Sequence, residues 1–595
     1  MSAEKPIVWT IAGSDSGSGA GIQADLATMA DLGCHGCSVI TCVTAQNSVA
    51  VNGVEPVSEA ILLAQLDTLL ADLPPKAIKI GLLANQRQIN LVADWLATHI
   101  APLKTGDGLP ISIILDPVMV ASCGDALTGE SAVQASAQTK TKLKTKPKTK
   151  LKTKPKHLAG LDFSPFAKLL TLMTPNASEF GKLVGKETAS SDEMLGQASA
   201  LSKRLACNLL ITGGDKGSLW RSDRAEDLLI CNAVAHTSPL HQHTSFRLSG
   251  ERVDNPNHHG SGCTLSSAIA SFLAQGLVLH DAILLAKTYV VQGIASAKAL
   301  GAGAGPLART GWPSGLVSLP RITELTGGTQ LSSSDSASDC SLLGSSLSSS
   351  AANFSRYSFP RLSFLRLKRP IGVYPVVDNL NTLEQVLAAG ATTAQLRIKL
   401  EDDGQAGRKG EESKQGKGKQ EEGQGAAALE AQIQAAIALG RKYDAQVFIN
   451  DHWQLALKHG AFGIHLGQED LFEADLNRIA EAGIALGVSS HGVFELALAS
   501  QLNPSYLALG HIFPTPTKSM PSNPQGLSML ARMVALWKPD CPRVAIGGID
   551  ASRLERVKAT NVEAVAVVRA VTQADSPGEA YKQLARTWEK AYVTQ

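Results

Sequence analysis

The sequence predicts two α/β domains in tandem: a largely parallel sheet with helices on both faces, then a barrel of eight strand–helix units. Three observations predict it. The chain has 595 residues, more than one hydrophobic core usually serves and enough for two. Strand-like and helix-like runs alternate through both halves, the pattern of parallel sheets. A Ser-rich segment at 331–353 separates the halves, and it is too polar to offset its ordering entropy by burial.

In the first half, strands are expected at 7–12, 36–44, 77–81, 111–116, 169–173 and 209–212. The segments between them read as helices, which gives a sheet buried on both faces. In the second half, apolar strand-like runs fall at 372–378, 393–399, 447–451, 463–467, 487–491, 506–513, 544–549 and 564–570. Helices are expected between them, among others at 453–459, 493–501, 527–537 and 551–560. Eight such units match a (β/α)8 barrel, with an open doubly wound sheet as the alternative. Either puts functional groups at the carboxyl ends of the strands.

Two further polar tracts interrupt these patterns. One is a Thr/Lys run at 138–157 containing Pro147 and Pro155; the other is a Gly/Lys/Glu/Gln tract at 402–425. Both read as solvated insertions. The expected organisation is a first domain over 1–327, a linker over 328–368 and a second domain over 369–595.

The net charge of +2 gives no basis for nucleic-acid or membrane-surface binding. No apolar run has the length of a spanning helix, and the N-terminus lacks a signal-peptide pattern, so a cytoplasmic location is expected. Nine scattered cysteines argue for reduced thiols. Cys34 and Cys37 form a CxxC, but no second ligand pair follows at zinc spacing, and a packed turn before a strand is the plainer reading.

Two glycine loops carry the chemistry of the first half. AGSDSGSGAG at 12–21 follows the first strand and opens a helix expected at 22–32. Its glycines let a ligand approach the backbone at a helix N-terminus, although many such loops only pack a helix on a strand. HGSGCT at 259–264 precedes a helix expected at 265–275. Backbone N–H groups there can form an anion hole for a phosphoryl group, and a cysteine at a helix start, Cys263, is expected to have a lowered pKa. A glycine-rich cap with a buried cysteine is the alternative. Asp116 ends a strand, and Asn176 and Glu179 share the first turn of a helix. Such acids can hold Mg2+ through water. A capping Asn beside an ordinary surface Glu is the bland alternative.

With SVITCVTAQNS, KIGLL, LDPVMV, TPNASE and ITGGD in the same order, the first half resembles hydroxymethylpyrimidine/phosphomethylpyrimidine kinases of the ribokinase-like superfamily. The resemblance implies a three-layer α/β/α fold and two ATP-dependent phosphorylations, with Mg2+ as cofactor. It implies substrate contacts at Gly13, Asp25 and Gln46, the last on an aminopyrimidine edge. It also implies an anion hole including Gly260 and Gly262, Cys263 as base or activator, and Asp116, Asn176 and Glu179 near ATP and Mg2+. One position departs: Thr212 precedes Gly213 and Gly214 where a Lys is expected, and Lys216 lies four residues on. A pyridoxal-type kinase is the rival.

In the second half, Gln395, Arg397 and Lys399 alternate along one strand and so point the same way. Polar side chains aimed into a barrel suit a ligand carrying pyrophosphate; a salt-bridged layer is the alternative. Asp451 and Asp470 follow neighbouring strands and can hold Mg2+, though either alone is more often a helix cap. QLRIK, FIND, GIHLGQED, LGVSSH, LGHIFPTPTK and AIGGI together resemble thiamine-phosphate synthases, which are TIM barrels. That resemblance implies Mg2+ on Asp451 and Asp470, with Arg397 and Lys399 drawing off pyrophosphate before a thiazole nitrogen attacks. It implies substrate contacts at Gln395, Leu396, Ile398, Asn450, Ser489 and Lys518, and a thiazole-phosphate grip from Thr515, Pro516, Thr517, Gly547, Gly548, Val568 and Arg569. Arg569 stands where the family usually has Ser. A thiazole tautomerase or a non-catalytic ligand-binding barrel is the rival. The expected partners are the small-molecule substrates, with no nucleic acid and no membrane; a homo-oligomer is compatible with the sequence.

Overall fold

The structure, a computed structural model, describes residues 5–119, 161–185, 191–214, 224–232, 245–314, 319–325, 362–398, 418–515, 523–536 and 540–590. The 138–157 run, the Ser-rich segment and residues 402–417 lie outside them. The chain divides into two compact units, one holding the described residues through Pro313 and again at 319–325, the other those from 362 onward.

The first unit is built on a ten-stranded sheet. Its strands are β1 (Ile7–Ser14), β2 (His35–Gln46), β3 (Val51–Pro56), β4 (Ala77–Ile80), β5 (Ser112–Leu115), β6 (Leu172–Met173), β7 (Asn208–Thr212), β8 (Arg224–Ile230), β9 (Ser245–Glu251) and β10 (Arg321–Leu325). They lie in the order β10-β9-β8-β7-β6-β5-β4-β1-β2-β3. From β7 to β2 the pairing is parallel, and these are the six expected strands. β3, β8, β9 and β10 add antiparallel edges that the sequence did not announce.

Alternation along the strands sorts the core. Trp9 and Ile11 on β1, with Ile78 and Ile80 on β4, join a cluster containing Leu66, Leu96, Phe180 and Leu201 from helices on one face. Thr10 points the other way, to the helix Gly21–Asp31, where its hydroxyl donates to Asp25 Oδ2 at 2.6 Å. That face also carries the helices Ser261–Ala274 and Leu279–Ala295.

The second unit is a closed barrel. Its strands are β11 (Val373–Val377), β12 (Thr393–Leu396), β13 (Gln446–Asn450), β14 (Gly463–Leu466), β15 (Ala485–Ser490), β16 (Tyr506–Leu509), β17 (Arg543–Ala545) and β18 (Ala564–Val567). Each pairs in parallel with the next, and β11 closes on β18. The closed ring excludes the open sheet. Tyr374, Phe448 and Tyr506 fill the interior with small residues such as Ala485, Ala508 and Ala566. Helices Trp453–His459 and Val493–Gln501 take their expected bounds. The 402–425 tract differs at its end, because a helix starts within it and runs over Gly418–Lys442. Its Gln, Glu, Ala and Lys residues are good helix formers, and residues 425–428 are exposed, so the start of the helix needs no core.

Candidate active sites

The two glycine loops of the first unit pack against each other. A methyl group on Gly19 would come within 2.0 Å of the His259 ring, and one on Gly260 within 2.0 Å of the Gly19 carbonyl oxygen. Asp15 organises the contact. Its carboxylate accepts from the N–H groups of Gly17 (2.8 Å), Gly19 (3.1 Å) and Ala20 (2.8 Å), and lies 3.4 Å from His259 Nε2. Burial works to raise its pKa, but these hydrogen bonds and His259 hold it below the usual value. Gly13 is equally tight, since a Cβ there would lie 2.7 Å from Cys42 Sγ. Gln46 sits at the end of β2, half-buried, its backbone locked to the Ser16 hydroxyl by reciprocal hydrogen bonds of 2.7 and 2.8 Å.

The anion-hole helix begins earlier than expected. Gly260, at φ +77°, is the N-cap of Ser261–Ala274, so Gly262 and Cys263 belong to its first turn. The left-handed turn at Gly260 lets the chain enter the helix directly. No side chain caps this end.

Beneath it lies a polar cluster. Lys79, fully buried, reaches Asp25 at 2.8 and 3.0 Å, and the Ser267 hydroxyl donates to Asp25 at 2.5 Å. Burial alone would lower the Lys79 pKa; the charge of Asp25, with Cys263 and Asp116 behind it, raises it instead. The cluster corrects the expectation for Cys263. Burial pushes its thiol up, to about 12; Lys79 opposes this, while the carboxylates of Asp25 and Asp116 add to it. The helix start and the Gly21 amide do not reverse the balance. Asp116 is raised to about 6, chiefly by burial and against the lowering charge of Lys79, and its Oδ2 faces Gly262. Asp25 is thus a buried ion-pair partner that anchors the helix.

Asn176 and Glu179 form a reciprocal capping box, each side chain accepting from the other's backbone N–H at 2.9 Å. Asn176 thus caps the helix as the bland alternative expected, but Glu179 is buried and not an ordinary surface residue. Next to them, Thr212 N–H donates to Pro175 O at 2.9 Å. Arg252 donates to the Gly214 carbonyl at 2.6 Å, and Gly213 N–H donates to Asp227, which Lys287 also grips. Lys216 lies outside the described residues.

In the barrel, Gln395 is buried and its Nε2 donates to Asn450 Oδ1 at 2.6 Å; Asn450 in turn donates to the Asp451 carboxylate. Arg397 continues β12 by donating its N–H to Val377 O at 2.8 Å, and both Arg397 and Ile398 are half-buried, whereas Leu396 is buried. Asp451 is exposed at φ +61° and its N–H donates to His465 O at 3.0 Å, tying the ends of β13 and β14. Asp470 opens a short 3-10 turn, with Oδ2 over Gly467. His465 Nε2 lies 2.9 Å from Ser489 Oγ, and the Ser489 carbonyl accepts from Gln468 at 2.9 Å. Gly547 and Gly548, at φ +105° and +63°, press on His511 and Pro514, leaving no room for a side chain. Thr515 is half-buried, and β16 ends at Leu509, earlier than expected. Val568 caps the last short helix, and Arg569 is exposed. Lys399, Pro516, Thr517 and Lys518 lie outside the described residues.

A family model described as thiamine monophosphate synthase matches residues 373–571, and one described as phosphomethylpyrimidine kinase matches 15–145 and 161–308. Over 214 residues the chain is 53% identical to the thiamine-phosphate synthase of Yersinia pestis (strain Pestoides F), covering 36% of this chain and 88% of that protein. The chain belongs to the thiamine-phosphate synthase family. It is a bifunctional transferase of thiamine biosynthesis, a phosphomethylpyrimidine kinase domain followed by a thiamine-phosphate synthase domain. The thiamine-phosphate synthase of Escherichia coli O157:H7 (strain EC4115 / EHEC) is 51% identical over 204 residues, covering 34% of this chain and 85% of that protein. A solved phosphomethylpyrimidine kinase from Clostridium difficile 630 is similar at 28% identity and a TM-score of 0.34, covering 48% of this chain and 98% of that one.

The two families generally use ATP and Mg2+. In the synthase domain, the donor set suits such a cation. Asp451 and Asp470 offer hard oxygen ligands at neighbouring strand ends. Among the described residues no group of three or more His, Cys, Asp or Glu could hold a metal unaided, so a bound ion would complete its shell with water or ligand oxygens. Among the same residues no helix is long and apolar enough to cross a membrane.

Sequence reasoning gave no role to Asp15, His259, Lys79, Ser267 or His465. Asp15 had a readable signal, an Asp followed by closely spaced glycines that it can hydrogen-bond. His465 had one too, a titratable residue at an inward position of a barrel strand.

Proposed function

We propose that the first domain phosphorylates 4-amino-5-hydroxymethyl-2-methylpyrimidine and then its monophosphate, with ATP as donor, and that the second condenses the diphosphate with a thiazole phosphate. Thiamine phosphate and pyrophosphate are the products. The observation that carries the reading is the pair of family matches on one chain, since a phosphomethylpyrimidine kinase makes the electrophile that a thiamine-phosphate synthase consumes.

In the kinase domain, the first-turn N–H groups of the helix after Gly260 receive the transferring phosphoryl group. Gln46 orients the aminopyrimidine, and Gly13 lets the ring approach the backbone. Asp116, Asn176 and Glu179 stand on the ATP and Mg2+ side. With its thiol held near 12, Cys263 serves as a hydrogen-bonding activator of the substrate hydroxyl and not as a resident thiolate.

In the synthase domain, Asp451 and Asp470 would hold Mg2+, which neutralises pyrophosphate charge when bound. Arg397 and Lys399 supply further positive charge to the leaving group. Gln395 and Asn450, joined to each other, orient the aminopyrimidine, whose ring stabilises the methylene cation as the C–O bond breaks. The thiazole nitrogen then donates its lone pair to that carbon. Thr515, Pro516, Thr517, Lys518, Gly547, Gly548 and Val568 hold the thiazole phosphate, with exposed Arg569 at the rim.

The test supplies purified protein with ATP, Mg2+, hydroxymethylpyrimidine and thiazole phosphate, and follows products by mass spectrometry. The wild-type chain yields thiamine phosphate. Asp470→Ala accumulates pyrimidine diphosphate instead, and unchanged thiamine phosphate output from this variant would sink the assignment.

A further inference from the structure

His465 stands on β14 with its ring inside the barrel and is 5% exposed. Its Nε2 lies 2.9 Å from Ser489 Oγ, and its Nδ1 lies 2.7 Å from the Tyr506 hydroxyl. Tyr506 in turn lies 2.9 Å from the Tyr374 hydroxyl. Three buried side chains therefore join in a line that ends at Ser489, on the carboxyl side of β15. The line is built into the barrel. A Cβ at Gly487 would lie 2.2 Å from the Tyr506 ring and 2.5 Å from its hydroxyl oxygen, so the phenol needs glycine there. The His465 and Tyr506 rings stack at 5.6 Å and 15°.

A chain of hydroxyl and imidazole groups has two self-consistent directions. In one, Tyr374 donates to Tyr506, Tyr506 to Nδ1, and Nε2–H to Ser489, leaving the Ser489 proton to point outward. In the other, every arrow reverses and Ser489 presents only lone pairs. The far end decides between them. Tyr374 is 1% exposed, and Tyr506 is its hydroxyl's hydrogen-bond partner among the described residues. The reversed direction would strand the Tyr374 proton in the core, where an unmade donor bond costs about 1–3 kcal/mol. A missing second acceptor contact costs less.

We propose that His465 is a positioning residue of the synthase site, fixing the Ser489 hydroxyl as an outward donor to an oxygen of the departing pyrophosphate. The inference rests on the reading of Ser489 as a substrate contact of the synthase. In this direction Nε2 carries the donated proton and Nδ1 accepts, and the ring touches no substrate. Gln468 completes the arrangement by holding the Ser489 carbonyl, so the residue cannot turn away. A donor aimed where negative charge develops acts mostly on the chemical step.

Steady-state synthase kinetics on the full chain, with purified pyrimidine diphosphate and thiazole phosphate, test this through a double-mutant cycle. His465→Asn lowers kcat by roughly tenfold or more and leaves the thiazole phosphate KM within about twofold. His465→Gln, whose amide nitrogen reaches the position of Nε2, recovers most of the loss. Tyr506→Phe, which removes one hydroxyl and keeps the ring, also lowers kcat and guards against a His465 variant that folds poorly. In a Ser489→Ala background neither substitution costs anything further. Losses that add in the double variants, or a Gln variant no better than Asn, would overturn the positioning role alone. Wild-type kcat in Ser489→Ala by itself would overturn the Ser489 reading and this inference with it.

Discussion

Gly19 and Gly260 meet backbone to backbone in the kinase domain, and neither can carry a side chain. For Gly260 two penalties combine: a methyl group would sit 2.0 Å from the Gly19 oxygen, and its φ of +77° is a conformation that L residues rarely adopt. Relief requires the two loops to part, which moves the first-turn N–H groups away from the phosphoryl position. Gly260→Ala should therefore lower kinase kcat/KM by about a hundredfold or more, as loss of oxyanion-type donors does. Synthase activity on supplied pyrimidine diphosphate should be unchanged, which makes the second domain an internal control for folding. Cys263 shows why some residue-level properties escape a linear reading. Its place at a helix start was plain, but Asp25 and Asp116, which help set its thiol, arrive from the helix Gly21–Asp31 and from just past the end of β5, far away in sequence.

At the scale of elements, the helix Leu279–Ala295 carries His280 into the core, with Nε2 at 3.3 Å from Cys231 Sγ and the ring edge-on to Phe246. Burial depresses its pKa to about 4. The unfolded chain takes up this proton near the ordinary value of about 6.5. Between those values the unfolded state binds more protons, so stability rises with pH there and falls as the solution is acidified. The loss over that window is about 3 kcal/mol. His280→Met should flatten this acid limb, measured as the change in urea midpoint of kinase-domain tryptophan fluorescence between about pH 7 and about pH 5; an unaltered slope would show that His280 does not set it. The sequence pattern named no helix over these residues, whereas the six parallel strands and all eight barrel strands were legible, because continuous apolar runs mark strands buried on both faces. β8 and β9 were not. Arg224, Glu226 and Asp227 on β8, and Ser245, Arg247 and Ser249 on β9, break the apolar run, and only pairing with β7 and β10 makes them strands. In the synthase site the Asp pair and the inward Gln395 were named from their places on the strands and Asn450 from the family resemblance, whereas the line from Tyr374 to Ser489 joins four strands and has no local signature.

For the whole molecule, each unit has its own core and its own set of site residues. Neither reaction needs a side chain from the other domain in this reading, and the intermediate is a small polyanion free to diffuse. A kinase-dead Gly260→Ala chain mixed with a synthase-dead Asp470→Ala chain should therefore make thiamine phosphate from hydroxymethylpyrimidine, after a lag while the diphosphate accumulates. The check is the time course by mass spectrometry: failure of the mixture, with each variant active in its remaining step, would mean that the intermediate is handed on without release. The fusion then contributes equal dosage of two consecutive catalysts and a raised local supply.

Among the described residues, Tyr374, Phe448 and Tyr506 crowd the middle of the barrel, a stopper that leaves no passage along its axis. In the proposed reading, a substrate that enters over the rim of Asp451, Ser489 and Gly547 also leaves over it. Pyrophosphate departs past the newly joined thiamine phosphate or waits for it, and neither can drain from the opposite end. Order of exit is thus a matter of traffic at one mouth, set by which anion lies nearer the rim.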